Sequence, residues 1–207
     1  SSATGGTGSA TVPVPSSSTA GTTTYYVSQL NNGCEGPRAA ITVTVNPTPQ
    51  FPDQPLRICT GQHANIANLY NTTGLTSSWT INQQPVTDPT AVDSAGTYQL
   101  ITTTAAGCSD TAIVNLGINP PVVANAGNDD NAEYGAPYQL NGSGGVQYQW
   151  SPSTDLNNPY IANPTATLNH DQEFVLMVMD DIGCFDLDTV KLRVLEGPTF
   201  YVPSAFT

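Results

Sequence analysis

Apolar and polar residues alternate along three pairs of short segments in this chain. The pairs cover residues 24–29 and 40–45, residues 97–102 and 111–116, and residues 173–179 and 189–194. A period of two places successive side chains on opposite faces of a β-strand. The pattern therefore predicts three antiparallel hairpins, and no segment carries a convincing helical period.

A Gly-Cys dipeptide lies between the two segments of every pair, at Gly33-Cys34, Gly107-Cys108 and Gly183-Cys184. This self-similarity recurs at roughly 75 residues, the length of a small β-sandwich module. We interpret each hairpin as the last two strands of such a module. The first copy has too few residues for a complete sandwich, because a two-stranded hairpin cannot bury its own apolar face.

Two tryptophans and one tyrosine mark the expected cores. Trp79 follows Cys59 by about 20 residues, and Trp150 holds the equivalent place in the next module. Residues 93–98 place an acidic turn and a glycine before Tyr98, which resembles the tyrosine corner of immunoglobulin-like (Ig-like) domains. The sequence therefore predicts an all-β fold of tandem sandwich modules.

The order of these motifs resembles a known kind of surface protein. Residues 21–38 resemble the Ig-like repeats of secreted Bacteroidetes proteins, and residues 125–184 resemble their PKD-like repeats. Residues 200–207 resemble the opening of the gliding-motility-associated C-terminal (type B sorting) domain, although the chain stops before the Pro-Asn-Gly-Asp-Gly segment usual there. The resemblance implies a large, multi-module adhesin, filament or enzyme, exported by type IX secretion and associated with the outer membrane or released.

The module boundaries follow from the repeat and from proline-rich linkers. We expect an incomplete Ig-like domain over residues 1–46, an Ig-like/PKD-like domain over 47–119 and a PKD-like domain over 120–196. Residues 197–207 would be a linker and the start of the sorting domain. Prolines after residues 46 and 119 make short, semi-rigid spacers, so we expect an extended rod.

Composition narrows the range of partners. Only 10% of the residues are charged, and the net charge is −12. An acidic chain repels phosphate backbones and anionic headgroups, so we expect no nucleic-acid partner. No apolar run reaches the length of a membrane span, so we expect no membrane insertion. The first residues carry no export signal, and we expect any such signal upstream.

Four cysteines in an exported chain indicate disulfides. Three pairings are open in principle, and the repeat register favours a Cys59–Cys108 bond inside one module. Such a bond would close a loop of about 50 residues and add roughly 3–4 kcal/mol of stability on the chain-entropy model. Cys34 and Cys184 are then expected to be unpaired within this chain.

Calcium is the cofactor that best fits the acidic residues. Aspartates lie near both ends of the third module, at Asp129, Asp130, Asp180, Asp181, Asp186 and Asp188. Hard cations take several oxygen ligands, which clustered carboxylates can supply. No EF-hand spacing is present, and solvated turn aspartates are the commoner outcome, so we expect no cofactor, with calcium as the one candidate. No zinc motif or catalytic constellation is evident, and His63 and His170 lie in polar segments typical of surface loops.

Three Asp-Ser/Thr-apolar triplets match the O-glycosylation pattern of Bacteroidetes secreted proteins. They place the acceptor hydroxyl on Ser94, Thr111 and Thr189. A three-residue pattern also arises by chance in a chain this rich in threonine. We expect at least one of the three to carry sugar, because all lie at strand starts or turns.

The leading hypothesis is a non-catalytic extracellular stalk or adhesin region of a large bacterial cell-surface protein. A sub-hypothesis is filament assembly, in which modules exchange strands between subunits. Its partners would be other modules of the same protein and surface glycans or proteins. Accessory modules of a secreted polysaccharide- or protein-degrading enzyme are the alternative. A carbohydrate-binding module is a third hypothesis, which needs an exposed strip of tyrosines.

Overall fold

The computed structural model describes residues 3–197, and their regular structure is almost entirely β-strand. The chain divides into two compact units. The first combines the residues up to Gln54 with Asn65–Ala91 and Gly96–Asn115, and the second combines Pro55–Ala64, Val92–Ala95 and the residues from Leu116 onward. The boundaries expected after residues 46, 119 and 196 stay predictions, and the sorting-domain resemblance at residues 200–207 lies outside the described residues.

The first predicted hairpin is present. Strand β1 (Gly21–Val27) pairs antiparallel with β4 (Ala39–Val45), and a short ladder of β2 (Leu30–Asn31) and β3 (Cys34–Glu35) lies between them in sequence. Asn32 and Gly33 join β2 to β3 with φ angles of 47° and 84°. Asn-Gly with two positive φ angles is the preferred two-residue turn of a hairpin.

The second predicted hairpin belongs to a five-stranded sheet. Its strands are β5 (Gln54–Cys59), β6 (Thr76–Ile81), β7 (Gln84–Pro85), β8 (Gly96–Thr103) and β9 (Ser109–Asn119), in the order β5-β9-β8-β6-β7. A single 3-10 turn, Ala67–Leu69, is the helical element among the described residues.

Trp79 and Tyr98 lie in the core of the first unit, as the sequence predicts. Tyr98 is 2% exposed, and Trp79 on β6 lies opposite the fully buried Leu100 on β8. The Tyr70 ring packs 6.1 Å from Trp79 and meets the edge of Phe51 at 5.5 Å. The aromatic side chains of this unit therefore pack against one another in its core.

The third predicted hairpin builds the second unit. The strands are β10 (Asp130–Glu133), β11 (Pro137–Gln139), β12 (Gln147–Ser151), β13 (Thr165–Thr167), β14 (Gln172–Met179) and β15 (Phe185–Leu195). One sheet has the order β10-β15-β14-β12, with β10 parallel to β15 and the other pairs antiparallel. The strands β11 and β13 form a separate antiparallel pair.

The apolar core of the second unit includes side chains from both of these sheets. Trp150, Phe174 and Leu176 from the four-stranded sheet cluster with Leu140 and Leu168, which follow β11 and β13. The indole N–H of Trp150 donates to the carbonyl of Ile161 at 3.1 Å, so its polar atom is satisfied inside the core. The all-β, Ig-like sandwich fold class is confirmed, with both tryptophans at core positions. The rod stays a prediction.

Candidate functional site

Aspartate side chains in the first unit accept hydrogen bonds from backbone N–H groups about sixty positions away. The carboxylate of Asp110 accepts from Phe51 at 2.8 Å, and that of Asp53 accepts from Ile113 at 2.8 Å. We call each such pair a carboxylate clamp. A carboxylate that accepts a backbone N–H makes a charge-assisted bond, stronger than a neutral one, so both clamps hold the segment that leads into β5 against β9.

The second unit repeats the same clamps. Asp186 accepts from the N–H of Ala124 at 2.9 Å, and Asp129 accepts from Lys191 at 2.8 Å. Asp110 and Asp186 each lie two residues after the cysteine of a Gly-Cys turn, and Asp53 and Asp129 each lie one residue before a strand. The clamps therefore belong to the repeat, and a third carboxylate, Asp188, adds a bond from Ala126 at 2.8 Å.

The predicted Cys59–Cys108 disulfide is wrong. Cys59, at the end of β5, is bonded to Cys184, which lies in the turn between β14 and β15. Cys184 was expected to be unpaired, so that expectation is also corrected. Among the described residues, Cys34 and Cys108 are free. The Cys108 sulfur lies 4.0 Å from the carbonyl of Asn46, and the Gly-Cys turn that approaches Cys59 is that of Cys184.

Polar residues close to the two cysteines in sequence are linked to one another through Asn119. Arg57 on β5 forms an ion pair with Asp181 at 2.6 Å, and its Nε donates to the side-chain oxygen of Asn119 at 3.0 Å. The amide nitrogen of Asn119 donates to Asp180, and the hydroxyl of Thr60 donates to the Asn119 carbonyl at 2.7 Å. We call the Cys59–Cys184 bond with Arg57, Asn119, Asp180 and Asp181 the disulfide clasp.

Asn119 is the centre of the disulfide clasp. It is 5% exposed and has hydrogen-bond partners for its side-chain oxygen, its side-chain nitrogen and its carbonyl. A buried amide with satisfied atoms fixes geometry, because losing one partner leaves a desolvated polar group. The Arg57–Asp181 pair is half exposed, so solvent screens it and it adds little stability by itself.

Asp180 has a pKa below its usual range. Desolvation of the carboxyl raises the pKa. Hydrogen bonds from the Asn119 amide and from the N–H groups of Ile182, Cys184 and Gly183 lower it, and their combined effect is the larger. Hydrogen bonds to the charged form favour ionisation. The carboxylate therefore stays charged at neutral pH and holds the turn that carries Cys184.

The six aspartates predicted as calcium ligands do not come together. Among residues 3–197, no group of three or more His, Cys, Asp or Glu side chains could hold a metal ion. Asp129, Asp186 and Asp188 form carboxylate clamps, and Asp180 and Asp181 belong to the disulfide clasp. Asp130 accepts from Tyr138 Oη at 2.9 Å and from the N–H of Asn131, which lower its pKa. Backbone N–H groups and neighbouring side chains occupy these carboxylates, and calcium binding stays a prediction.

The glycosylation candidates are reachable. Ser94, Thr111 and Thr189 are all exposed, in the turn before β8 and on strands β9 and β15. The Ser94 hydroxyl donates to Asp93 at 3.1 Å. Their modification stays a prediction.

The remaining candidates for chemistry lie at the surface. His63 and His170 are exposed, in the loops that follow β5 and precede β14. Tyr134 and Tyr160, two of the tyrosines considered for glycan binding, are 56% and 69% exposed. No helix within the described range combines the length and the apolar character needed to cross a membrane.

No protein-family model and no curated protein sequence matches the chain. Solved structures with tandem Ig domains are similar to it. Titin domains I67–I69, in an E-to-A variant, share 12% identity over 89% of this chain and 77% of that chain, with a TM-score of 0.35. The tandem Ig repeats of Dlar share 11% identity over 70% and 95%, with a TM-score of 0.29, and domains 3–5 of Drosophila OTK share 14% over 75% and 68%, with a TM-score of 0.32. These scores are low, so the fold assignment rests on the chain's own sheets and core.

Proposed function

We propose that this chain is a non-catalytic, extracellular stalk region of a cell-surface adhesion protein, whose modules are braced by repeated clamps and by a covalent clasp. The observation that carries the proposal is the disulfide clasp. A structural disulfide persists in an oxidising environment and is rare in reducing cytosol. Its position supports an extracellular location and a mechanical role.

The hydrogen bonds that the carboxylates accept support a structural role over an enzymatic one. General acid–base or hydrolytic chemistry needs ionisable groups that converge on a cleft. Here Asp110, Asp186 and Asp129 each hold a distant backbone N–H, and Asp180 holds the turn of Cys184. The same residues serve the same purpose in two successive sandwiches, which is expected when selection acts on module rigidity.

The finer features of the proposal come from the resemblance in sequence. We infer a bacterial outer-membrane-associated protein exported by type IX secretion, with surface glycans or proteins as distal ligands. The exposed acidic surface suits a stalk because charge repulsion discourages lateral aggregation. The same proposal includes filament assembly by strand exchange, which is supported by β1 and β4 forming a sheet of only two strands in the described range.

Surface labelling tests the location. An antibody raised against residues 47–196 is applied to intact cells of the source organism and to permeabilised cells. We expect equal labelling of both, and loss of the label after brief protease treatment of intact cells. Labelling that appears only after permeabilisation would contradict the proposal.

A further inference from the structure

Cys108 and Cys184 occupy the same position in the same kind of turn. The N–H of Cys108 donates to the Thr104 hydroxyl and its carbonyl accepts from the Thr104 N–H. The N–H of Cys184 donates to the Asp180 carboxylate and its carbonyl accepts from the Asp180 N–H. The preceding glycines, Gly107 and Gly183, have φ angles of 84° and 91°. One cysteine of this matched pair is bonded to Cys59, and the other is free.

The surroundings of the two cysteines also match. The sulfur of Cys108 lies 4.0 Å from the carbonyl of Asn46, which follows β4 and precedes a proline. Asn119 holds the corresponding place at the end of β9, also before a proline, and its carbonyl accepts from Thr60, the neighbour of Cys59. In the second unit, Cys59 at the end of β5 bonds the cysteine of the Gly-Cys turn. In the first unit, the matching cysteine, Cys108, has no such partner among the described residues.

Among residues 3–197, no strand pairs with β4 in the place that β5 takes beside β9. In the five-stranded sheet β5 is the neighbour of β9, whereas β4 has β1 as its one partner among the described residues. Apolar residues on one face of this hairpin are left open, because Ile41 is 51% exposed and Val27 is 50% exposed. A two-stranded sheet with an open apolar face gains stability when another strand joins its edge.

We propose that the outer edge of β4 and the thiol of Cys108 form one docking site for a β-strand of the β5 kind. The occupant is a strand from another Ig-like module that alternates apolar residues and ends in a cysteine, as Leu56, Ile58 and Cys59 do in β5. Backbone hydrogen bonds along β4 align the strand, and its cysteine then forms a disulfide with Cys108. The inference rests on the proposed function in one respect, because the disulfide with the partner strand needs an oxidising location.

The covalent step is an ordinary thiol–disulfide exchange. The partner cysteine is first held as a mixed disulfide with a low-molecular-weight thiol. The Cys108 thiolate attacks the partner sulfur, a new sulfur–sulfur bond forms, and the small thiol leaves as a thiolate that takes up the proton lost by Cys108. The low-molecular-weight disulfide that made the mixed disulfide is the oxidant, so electrons and atoms balance.

The test uses a synthetic peptide with the sequence of residues 54–62, QPLRICTGQ, whose cysteine is a mixed disulfide with thionitrobenzoate. The full chain carries Cys34→Ser, so that Cys108 is its free thiol, and release of coloured thionitrobenzoate reports the exchange rate. A scrambled peptide with the same composition and the same activated cysteine is the control. We expect the β5 peptide to react about tenfold faster or more, because docking raises the effective concentration of its cysteine.

A second variant and a denatured sample test whether the rate difference depends on Cys108 and on the folded chain. In a Cys108→Ser chain that keeps Cys34, the two peptides should react at equal rates, and denaturing the Cys34→Ser chain in urea should abolish the preference for the β5 peptide. Equal rates for both peptides on the folded chain would overturn the proposal. A Cys108–Cys108 dimer formed without peptide would also overturn it, by assigning the thiol to a second copy. None of these results depends on the surface labelling of cells, so this inference and the proposed function fail separately.

Discussion

Cys59 and Cys184 are bonded to each other although 125 positions separate them in sequence. Arg57 lies two residues before Cys59 and Asp181 lies three residues before Cys184, and these two side chains form an ion pair. The buried Asn119 is hydrogen-bonded to Arg57, Asp181 and Asp180, so it links the two segments that carry the cysteines. The disulfide therefore adds a covalent cross-link to the second unit, in addition to the packing of its apolar core.

Removing the disulfide should destabilise the chain substantially. We expect the double substitution Cys59→Ser with Cys184→Ser to lower the free energy of unfolding by about 2–5 kcal/mol, since the bond closes a long loop in the unfolded chain. Urea denaturation followed by tryptophan fluorescence measures the change. Cys34→Ser with Cys108→Ser is the matched control, which should change stability by less than about 0.5 kcal/mol. Equal effects of the two double variants would contradict the assigned pairing.

The carboxylate clamps should contribute a similar free energy of stabilisation in each of the two units. We expect Asp186→Ala to cost about 1.5–3 kcal/mol, because it removes a charge-assisted hydrogen bond and leaves the Ala124 N–H without its partner. Asp110→Ala should cost the same through Phe51. Glu133→Ala, an exposed carboxylate on β10, is the control and should cost less than about 0.5 kcal/mol. A cost for Asp186→Ala no larger than that of the control would refute the clamp.

The core position of Trp150 gives a third prediction. Trp150 is 1% exposed, and its replacement by alanine should cost about 3–5 kcal/mol through lost apolar burial and the cavity left behind. Thermal unfolding monitored by circular dichroism measures the loss. Tyr160→Ala, at a position 69% exposed, should be nearly neutral. If Trp150 were instead a surface platform for a ligand, its replacement would leave the thermal midpoint unchanged.

Asp180 should make stability depend on pH. Its pKa in the folded chain is lowered below that of the unfolded chain, so its stabilising contribution is present above the unfolded pKa of about 3.9 and is lost as pH falls through the folded pKa. Asp180→Asn removes this titration and keeps one acceptor oxygen. We expect the wild-type chain to lose more stability than the variant on acidification from about pH 5 to pH 2. Parallel pH profiles for the two proteins would show that Asp180 does not contribute.

The sequence predicts the hairpins well because strand periodicity is a local property. Residues 189–194 alternate between polar and apolar types, and the structure pairs them with residues 173–179 as β15 and β14. Every second residue of β14, at Phe174, Leu176 and Val178, is fully buried. Trp79 and Trp150 are predicted as core residues from their place in an Ig-like module, which is also a property of the local sequence.

The cysteine pairing could not be derived in the same way. Cys108 and Cys184 lie in turns with the same local pattern, so nothing near either of them indicates which one meets Cys59. The choice depends on which turn approaches the end of β5, and that is a tertiary property. The aspartates were ambiguous for a related reason, because a carboxylate in a loop suits both a cation and a backbone N–H. The matched spacing of Asp110 and Asp186 after their cysteines was the signal that could have identified the clamps.

Single-molecule stretching tests the central claim, that the disulfide clasp braces this region as a stalk. The chain is held at its two ends and extended until it unfolds, first without and then with a thiol reductant. Residues between Cys59 and Cys184 cannot extend while the bond is closed, so the unfolded length should increase by about 400–450 Å when reductant is added. Full extension of all 207 residues in the absence of reductant would contradict the account.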